Sequence, residues 1–167
     1  MSIVGKKHPF ELLSEDHCQL LAQQLKLTLH DADVGKKPFH IWFSGDLGSG
    51  KTTFIRYLLR SFGHLGKVKS PTYNLCEPYL VKLGPTPLAI HHFDLYRMNH
   101  AQEWVEAGFK DIMTAPGLCL IEWPEMAKNT LPTPDLVIHL EYQSEGGRIG
   151  HFESHSLEGD IILEALM

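Results

Sequence analysis

Gly45-Asp46-Leu47-Gly48-Ser49-Gly50-Lys51-Thr52-Thr53 decides how the rest of the chain is read. It fits G-x-x-x-x-G-K-[ST], the phosphate-binding loop called Walker A. Before it, Phe39-His40-Ile41-Trp42-Phe43 is apolar and rich in β-formers, which predicts a buried strand. After it, residues 53–62 place Phe54, Tyr57, Leu58 and Phe62 at helical spacing, and Gly63 supplies a stop. Strand, glycine loop, helix is the order that phosphate binding requires. The glycines open backbone dihedrals closed to other residues, so that loop N–H groups from Gly45 to Thr53 can ring an anion. The following helix adds its unpaired N-terminal N–H groups and the positive end of its dipole. In such a loop Lys51 reaches the β- and γ-phosphates and the Thr52 hydroxyl binds Mg²⁺. The competing reading is a glycine-rich turn with an exposed lysine, and the flanking elements argue against it.

The chain has 167 residues, enough for a single domain over 1–167 with its own core. Its 43% hydrophobic and 21% charged content is ordinary for a soluble globular protein. Its apolar runs are too short to span a membrane, and the N-terminus lacks a signal-peptide pattern. Cys18, Cys76 and Cys119 are widely spaced and form no C-x-x-C. They read as free thiols in a reducing cytosol, not as a disulfide framework or a zinc site. The formal net charge of −5 argues against a protein that grips nucleic acid unaided, so any RNA is expected to be held by a partner.

Residues 9–13 read as a short edge strand. Ser14 is a good N-cap, with Glu15 and Asp16 in the first turn and Cys18, Leu21, Leu25 and Leu29 on one helical face. Residues 31–38 form a polar loop. Beyond the phosphate loop and its helix, residues 68–75 lead into a strand through Val81. Pro85 and Pro87 mark a turn before a strand from Leu88 to Phe93 that ends at Asp94. Residues 101–113 carry a helical pattern with Trp104 and Phe109 as packing residues, broken by Gly108. Leu118-Cys119-Leu120-Ile121 is a short strand ending at Glu122, and Pro124 suits the start of a short helix. Residues 136–141 form a largely buried strand. Gly146-Gly147 turn into a polar strand over 148–157, expected at a sheet edge, and residues 161–166 close the chain as a helix. The result is an α/β fold of the P-loop NTPase kind. Its mixed sheet has a parallel centre, antiparallel edge strands and helices on both faces.

Hydrolysis needs more than a cradle: Mg²⁺ must bridge the β- and γ-phosphates, and a group must orient the attacking water. Carboxylates at the C-terminal ends of parallel strands open onto the ligand crevice. Asp94 and Glu122 both hold such positions, and the residues alone leave open which touches the metal and which manages water. Each could instead cap a helix or pair with a surface base, and the Walker A loop favours function.

Four blocks in order then resemble the TsaE (YjeE) family, the bacterial ATPases of tRNA threonylcarbamoyladenosine biosynthesis. They are Gly45 to Phe54, Ser70-Pro71-Thr72-Tyr73, His92-Phe93-Asp94-Leu95-Tyr96-Arg97 and Ile121-Glu122-Trp123-Pro124. Glu103 with Gly108, and Leu131-Pro132 with Asp135, fit the same pattern, so the resemblance covers nearly the whole chain. It implies a cytoplasmic, weak Mg²⁺-dependent ATPase that works with TsaB and TsaD. Those partners place threonylcarbamoyl on adenosine 37 of tRNAs reading ANN codons. The ATP cycle is implied to reset the TsaB–TsaD complex, with tRNA met only through it. By position, Thr52 and Glu122 resemble the magnesium ligands and Asp94 the second acid of hydrolysis, with Lys51 on the phosphates. Ser70 to Tyr73 resembles a switch loop that brings Thr72 near the γ-phosphate. Trp123 is implied close to the nucleotide, and Glu15 and Arg148 on the nucleoside side.

Other residues carry weaker signals. Arg97 could neutralise phosphate charge or form a surface ion pair. His91 and His92, as strand neighbours, point to opposite faces and cannot easily share one metal ion. His151 and His155 lie on one strand face without a third ligand and read as surface residues. Two other functions compete. A small-molecule kinase would need a lid of several arginines, and the chain has only Arg56, Arg60, Arg97 and Arg148. A non-hydrolysing, nucleotide-gated adaptor would have no use for the paired acids.

Overall fold

The computed structural model describes residues 5–71 and 73–167. Thr72 lies outside the described residues. Seven strands form one sheet: β1 (Lys7–Leu12), β2 (Pro38–Ser44), β3 (Cys76–Leu83), β4 (Thr86–Asp94), β5 (Gly117–Glu122), β6 (Leu136–Tyr142) and β7 (Arg148–Ser154). Their spatial order is β1-β7-β6-β2-β5-β4-β3. β2 runs parallel to β5 and β6, and β4 parallel to β5, which gives the expected parallel centre. β1, β7 and β3 pair antiparallel at the margins.

Helices α1 (Glu15–Asp31), α2 (Lys51–Ser61) and α5 (Leu157–Leu166) cover one face. Ser14 caps α1 by accepting from His17 N, and Cys18, Ala22, Leu25 and Leu29 turn inward. They meet Ile41, Phe43, Phe54, Leu58, Ile138 and Phe152 in the larger core cluster. The short helices α3 (Glu103–Glu106) and α4 (Lys110–Thr114) and a 3-10 turn (Pro124–Ala127) cover the other face. There Phe93, Trp104, Met113, Ile121 and Ala127 form a second, smaller core.

Two expectations change. The strand over 148–157 is not an edge: β7 ends at Ser154 and lies between β6 and β1. Its polarity has another cause. Arg148 is drawn to the phosphate loop, and His151 and Glu153 sit on a half-exposed sheet face. The closing helix begins at Leu157 rather than 161, because Ser156 caps it by accepting from Gly159 N at 2.9 Å. Gly159 reads against a helix in sequence, yet a side chain there would collide with the Asp135 carbonyl. The helix needs glycine to pack that closely.

Candidate active site

The C-terminal ends of three neighbouring parallel strands build the site. β2 runs into the glycine loop, β5 ends at Glu122 and β4 ends at Asp94. In register, Asp94 stands opposite Glu122, and Glu122 opposite Phe43. Parallel strands place such ends on one rim of the sheet.

The loop's shape depends on glycine at two points. Gly45 has φ +154, and a Cβ there would strike the Leu140 carbonyl and the Ser49 hydroxyl. Gly50 has φ +103 and is the N-cap of α2, which has no side-chain cap. The first N–H groups of α2 therefore face the loop without a side-chain acceptor. Ser49 is buried at 1% exposure, and its Oγ has no hydrogen-bond partner among the described residues. An unpartnered buried hydroxyl in a cradle of main-chain N–H groups fits a phosphate ligand.

Lys51 begins α2 and is buried. Its Nζ donates to the carbonyls of Gly45 and Asp46 and lies 4.0 Å from the centre of the Trp123 ring. Burial lowers the ammonium pKa, while Glu122, Glu125, Asp94 and Asp46 oppose that shift. Trp123 holds a left-handed backbone, φ 58 and ψ 47, directly before Pro124. A bulky residue in that region costs on the order of 1–3 kcal/mol and marks a place where position matters. Its ring also packs on Tyr96, with centroids 4.8 Å apart. The family resemblance implies only a place close to the nucleotide for Trp123; its ring covers the lysine.

The two acids are buried, Asp94 at 6% and Glu122 at 2% exposure. Buried charge needs partners, and each acid has its own. Thr52 Oγ1 lies 3.0 Å from both Glu122 oxygens. His92 Nε2 lies 2.6 Å from Glu122 Oε2. Asp94 accepts from Ser70 Oγ and, through Oδ1, from Tyr96 N at 3.0 Å. Thr52, Glu122 and Asp94 thus offer the hard oxygen donors that Mg²⁺ prefers. A cleft of about 560 Å³ joins loop residues 47–53 to Ser70, Asp94, Tyr96, Arg97, Glu122 and Trp123.

Arg148 reaches the loop from outside. Its Nε donates to Ser49 O and its Nη2 to Gly48 O, each at 3.1 Å, while its guanidinium stacks on Tyr142. Glu15 accepts from the Tyr57 hydroxyl at 2.8 Å. Glu15, Cys18, Ser49, Gly50, Thr53 and Arg148 line a separate pocket of about 200 Å³ beside the loop. Arg97 lies over the exposed Tyr73 ring at 5.4 Å, on the rim of the cleft.

The residue that sequence reasoning missed is His92. Read beside His91 it is only half of an implausible metal pair. The pair does split, with His92 fully buried and His91 half-exposed. The useful signal is its spacing of two from Asp94, which puts both on one strand face above Glu122.

Fold and loop together define a P-loop protein of the nucleotide-binding α/β class. The chain belongs to the TsaE family: the family model described as threonylcarbamoyl adenosine biosynthesis protein TsaE matches residues 12–149. It is 36% identical over 139 residues to the tRNA threonylcarbamoyladenosine biosynthesis protein TsaE of Haemophilus influenzae, covering 83% of each chain. It is 33% identical over 152 residues to the protein of that name in Rickettsia felis, covering 90% of this chain and 82% of the relative. The crystal structure of YdiB from Bacillus subtilis shares the fold. Its TM-score is 0.75 at 23% identity, over 99% of this chain and 97% of that one.

Proposed function

We propose that this chain is the ATP-binding and ATP-hydrolysing subunit required to form threonylcarbamoyladenosine at position 37 of tRNAs reading ANN codons. It acts in the cytoplasm with TsaB and TsaD homologues, and its ATP cycle resets their complex between turnovers. It does not itself transfer the threonylcarbamoyl group, and tRNA reaches it only through the complex. The observation that carries this reading is the Thr52–Glu122 contact at the foot of the loop, with Asp94 beside Glu122 in register.

In this reading the amides of residues 45–53 and the Lys51 ammonium bind the triphosphate, and Trp123 seats the lysine. Thr52 and Glu122 would hold Mg²⁺, which would supply neutralisation of the phosphate charge. Asp94, partnered by Ser70, orients the attacking water, and Thr72 contacts the γ-phosphate when ATP is bound. Glu15 and Arg148 flank the nucleoside in the 200 Å³ pocket. The separate partners of the two acids support this division of labour.

Among the described residues, Arg148 is held by loop carbonyls, Arg56 by Val68 O, and Arg97, on the rim of the cleft, by the Tyr73 ring. The isolated chain should therefore hydrolyse slowly and accelerate when TsaB and TsaD are added. A hydrolysis rate that stays flat across that titration counts against the proposal. So does full tRNA modification in a reconstituted system lacking this chain.

A further inference from the structure

The half of the sheet left bare by α3, α4 and the 3-10 turn carries three imidazoles around one carboxylate. His139 on β6 and His151 on β7 are directly opposed in register, with rings stacked at 4.3 Å. Glu153 follows two residues after His151, so it shares that face. The ligand atoms of His139, His151 and Glu153 all lie within 4.8 Å of one another. His139 Nε2 is 3.5 Å and His151 Nε2 is 3.8 Å from Glu153 Oε2. His155 Nε2 holds the other oxygen, Oε1, at 2.9 Å. His139 stands opposite Ser44, at the entry to the phosphate loop, and the cluster uses none of the side chains assigned above to phosphate or Mg²⁺.

We propose that His139, His151 and Glu153 form a second metal site, selective for a borderline transition metal such as Zn²⁺ rather than Mg²⁺. Two imidazoles and one carboxylate form a zinc donor set, with a fourth position left to water. Magnesium, which prefers oxygen, gains little from imidazole. The donors need only small side-chain rotations, because they already converge from adjacent strands and are half-buried. His155 orients the Glu153 carboxylate as an outer partner. Lys7 Nζ, 3.8 Å from Glu153 Oε2 on neighbouring β1, competes with the metal. In sequence the site is hidden: His151 and Glu153 lie on one strand, but the third ligand, His139, comes from the strand beside it.

The test uses the full chain without nucleotide, titrated with Zn²⁺ against a chromophoric chelator, with thermal unfolding followed in parallel. The expected result is a single site that also raises the melting temperature, since the metal binds the folded chain alone. Co²⁺ in place of zinc should give visible d–d bands without the near-ultraviolet thiolate charge-transfer band. His139→Ala and His151→Ala should each abolish the site, and His155→Ala should weaken it by roughly ten- to a hundredfold. Lys7→Ala should leave zinc affinity equal or higher. The proposal is overturned if the His139→Ala/His151→Ala double variant binds zinc like the parent. A thiolate band in the cobalt spectrum, or diffuse weak uptake with no thermal shift, overturns it equally.

Discussion

Thr52 Oγ1 stands 3.0 Å from each carboxylate oxygen of Glu122, which joins the first turn of α2 to the last residue of β5. A hydroxyl has one proton, so it donates to one oxygen at a time, and both groups face the same small volume. On the proposed function, these two groups would share one hard cation. Glu122→Gln keeps the shape and removes the charge. ATP should still bind, and turnover should fall by about a hundredfold or more. Thr52→Ala should shift the Mg²⁺ dependence to higher concentration. Steady-state rates across a Mg²⁺ titration check both; unaltered metal titrations in the two variants contradict the assignment. If Glu122→Gln stops hydrolysis while tRNA modification continues, the non-hydrolysing adaptor gains.

Lys51 is held between two loop carbonyls and the Trp123 ring, with its charge partly desolvated. A charge-assisted hydrogen bond contributes about 1.5–3 kcal/mol. Lys51→Ala should therefore weaken ATP binding roughly ten- to a hundredfold, measured by calorimetry with a non-hydrolysable analogue. An unchanged dissociation constant would remove the lysine from the phosphates.

The strand–loop–helix around residues 39–62 was legible because apolar runs and glycine spacing are local signals, and both acids were legible as strand ends. What hides from a sequence is what one strand does to its neighbour. His92 matters because β4 lies beside β5. The polarity of β7 signals an open face, not an open edge, and that depends on where α3 and α4 pack. Gly159 looks like a helix breaker until the Asp135 carbonyl is seen against it. The place of Trp123 over Lys51 is hidden too, because its left-handed backbone cannot be read from residue type.

Arg148 ties β7 to the loop through two main-chain carbonyls. It is partly exposed, so screening reduces what it contributes. Arg148→Ala should leave the fold intact and loosen the loop, with nucleotide affinity falling about tenfold. Arg148→Lys should rescue little, since an ammonium lacks the fork that reaches both carbonyls. Full rescue by lysine would reduce Arg148 to a plain positive charge.

The three thiols are held in their protonated form. Burial is the main cause, pushing Cys18 up to about 11 and Cys76 and Cys119 up to about 12. The thiolate is the reactive species. Alkylation near neutral pH should be slow in the native protein and fast after denaturation, with half-buried Cys76 reacting first. Equal rates in both states, followed by mass spectrometry, would contradict the burial.

His92 donates to Glu122 from a position with no exposure, while its own Nδ1 has no partner among the described residues. It touches neither phosphate nor water in the proposed mechanism and so acts as a positioning residue. Without it, Glu122 keeps Thr52 but loses the contact that fixes its rotamer. His92→Ala should lower turnover roughly ten- to a hundredfold, the range for losing an outer partner of a metal ligand. ATP affinity without metal should hold, and the Mg²⁺ dependence should move upward. His92→Gln should restore part of the rate, because an amide N–H can still reach the carboxylate. A purely structural role predicts something different: lower thermal stability with an unshifted Mg²⁺ titration, and no rescue by glutamine.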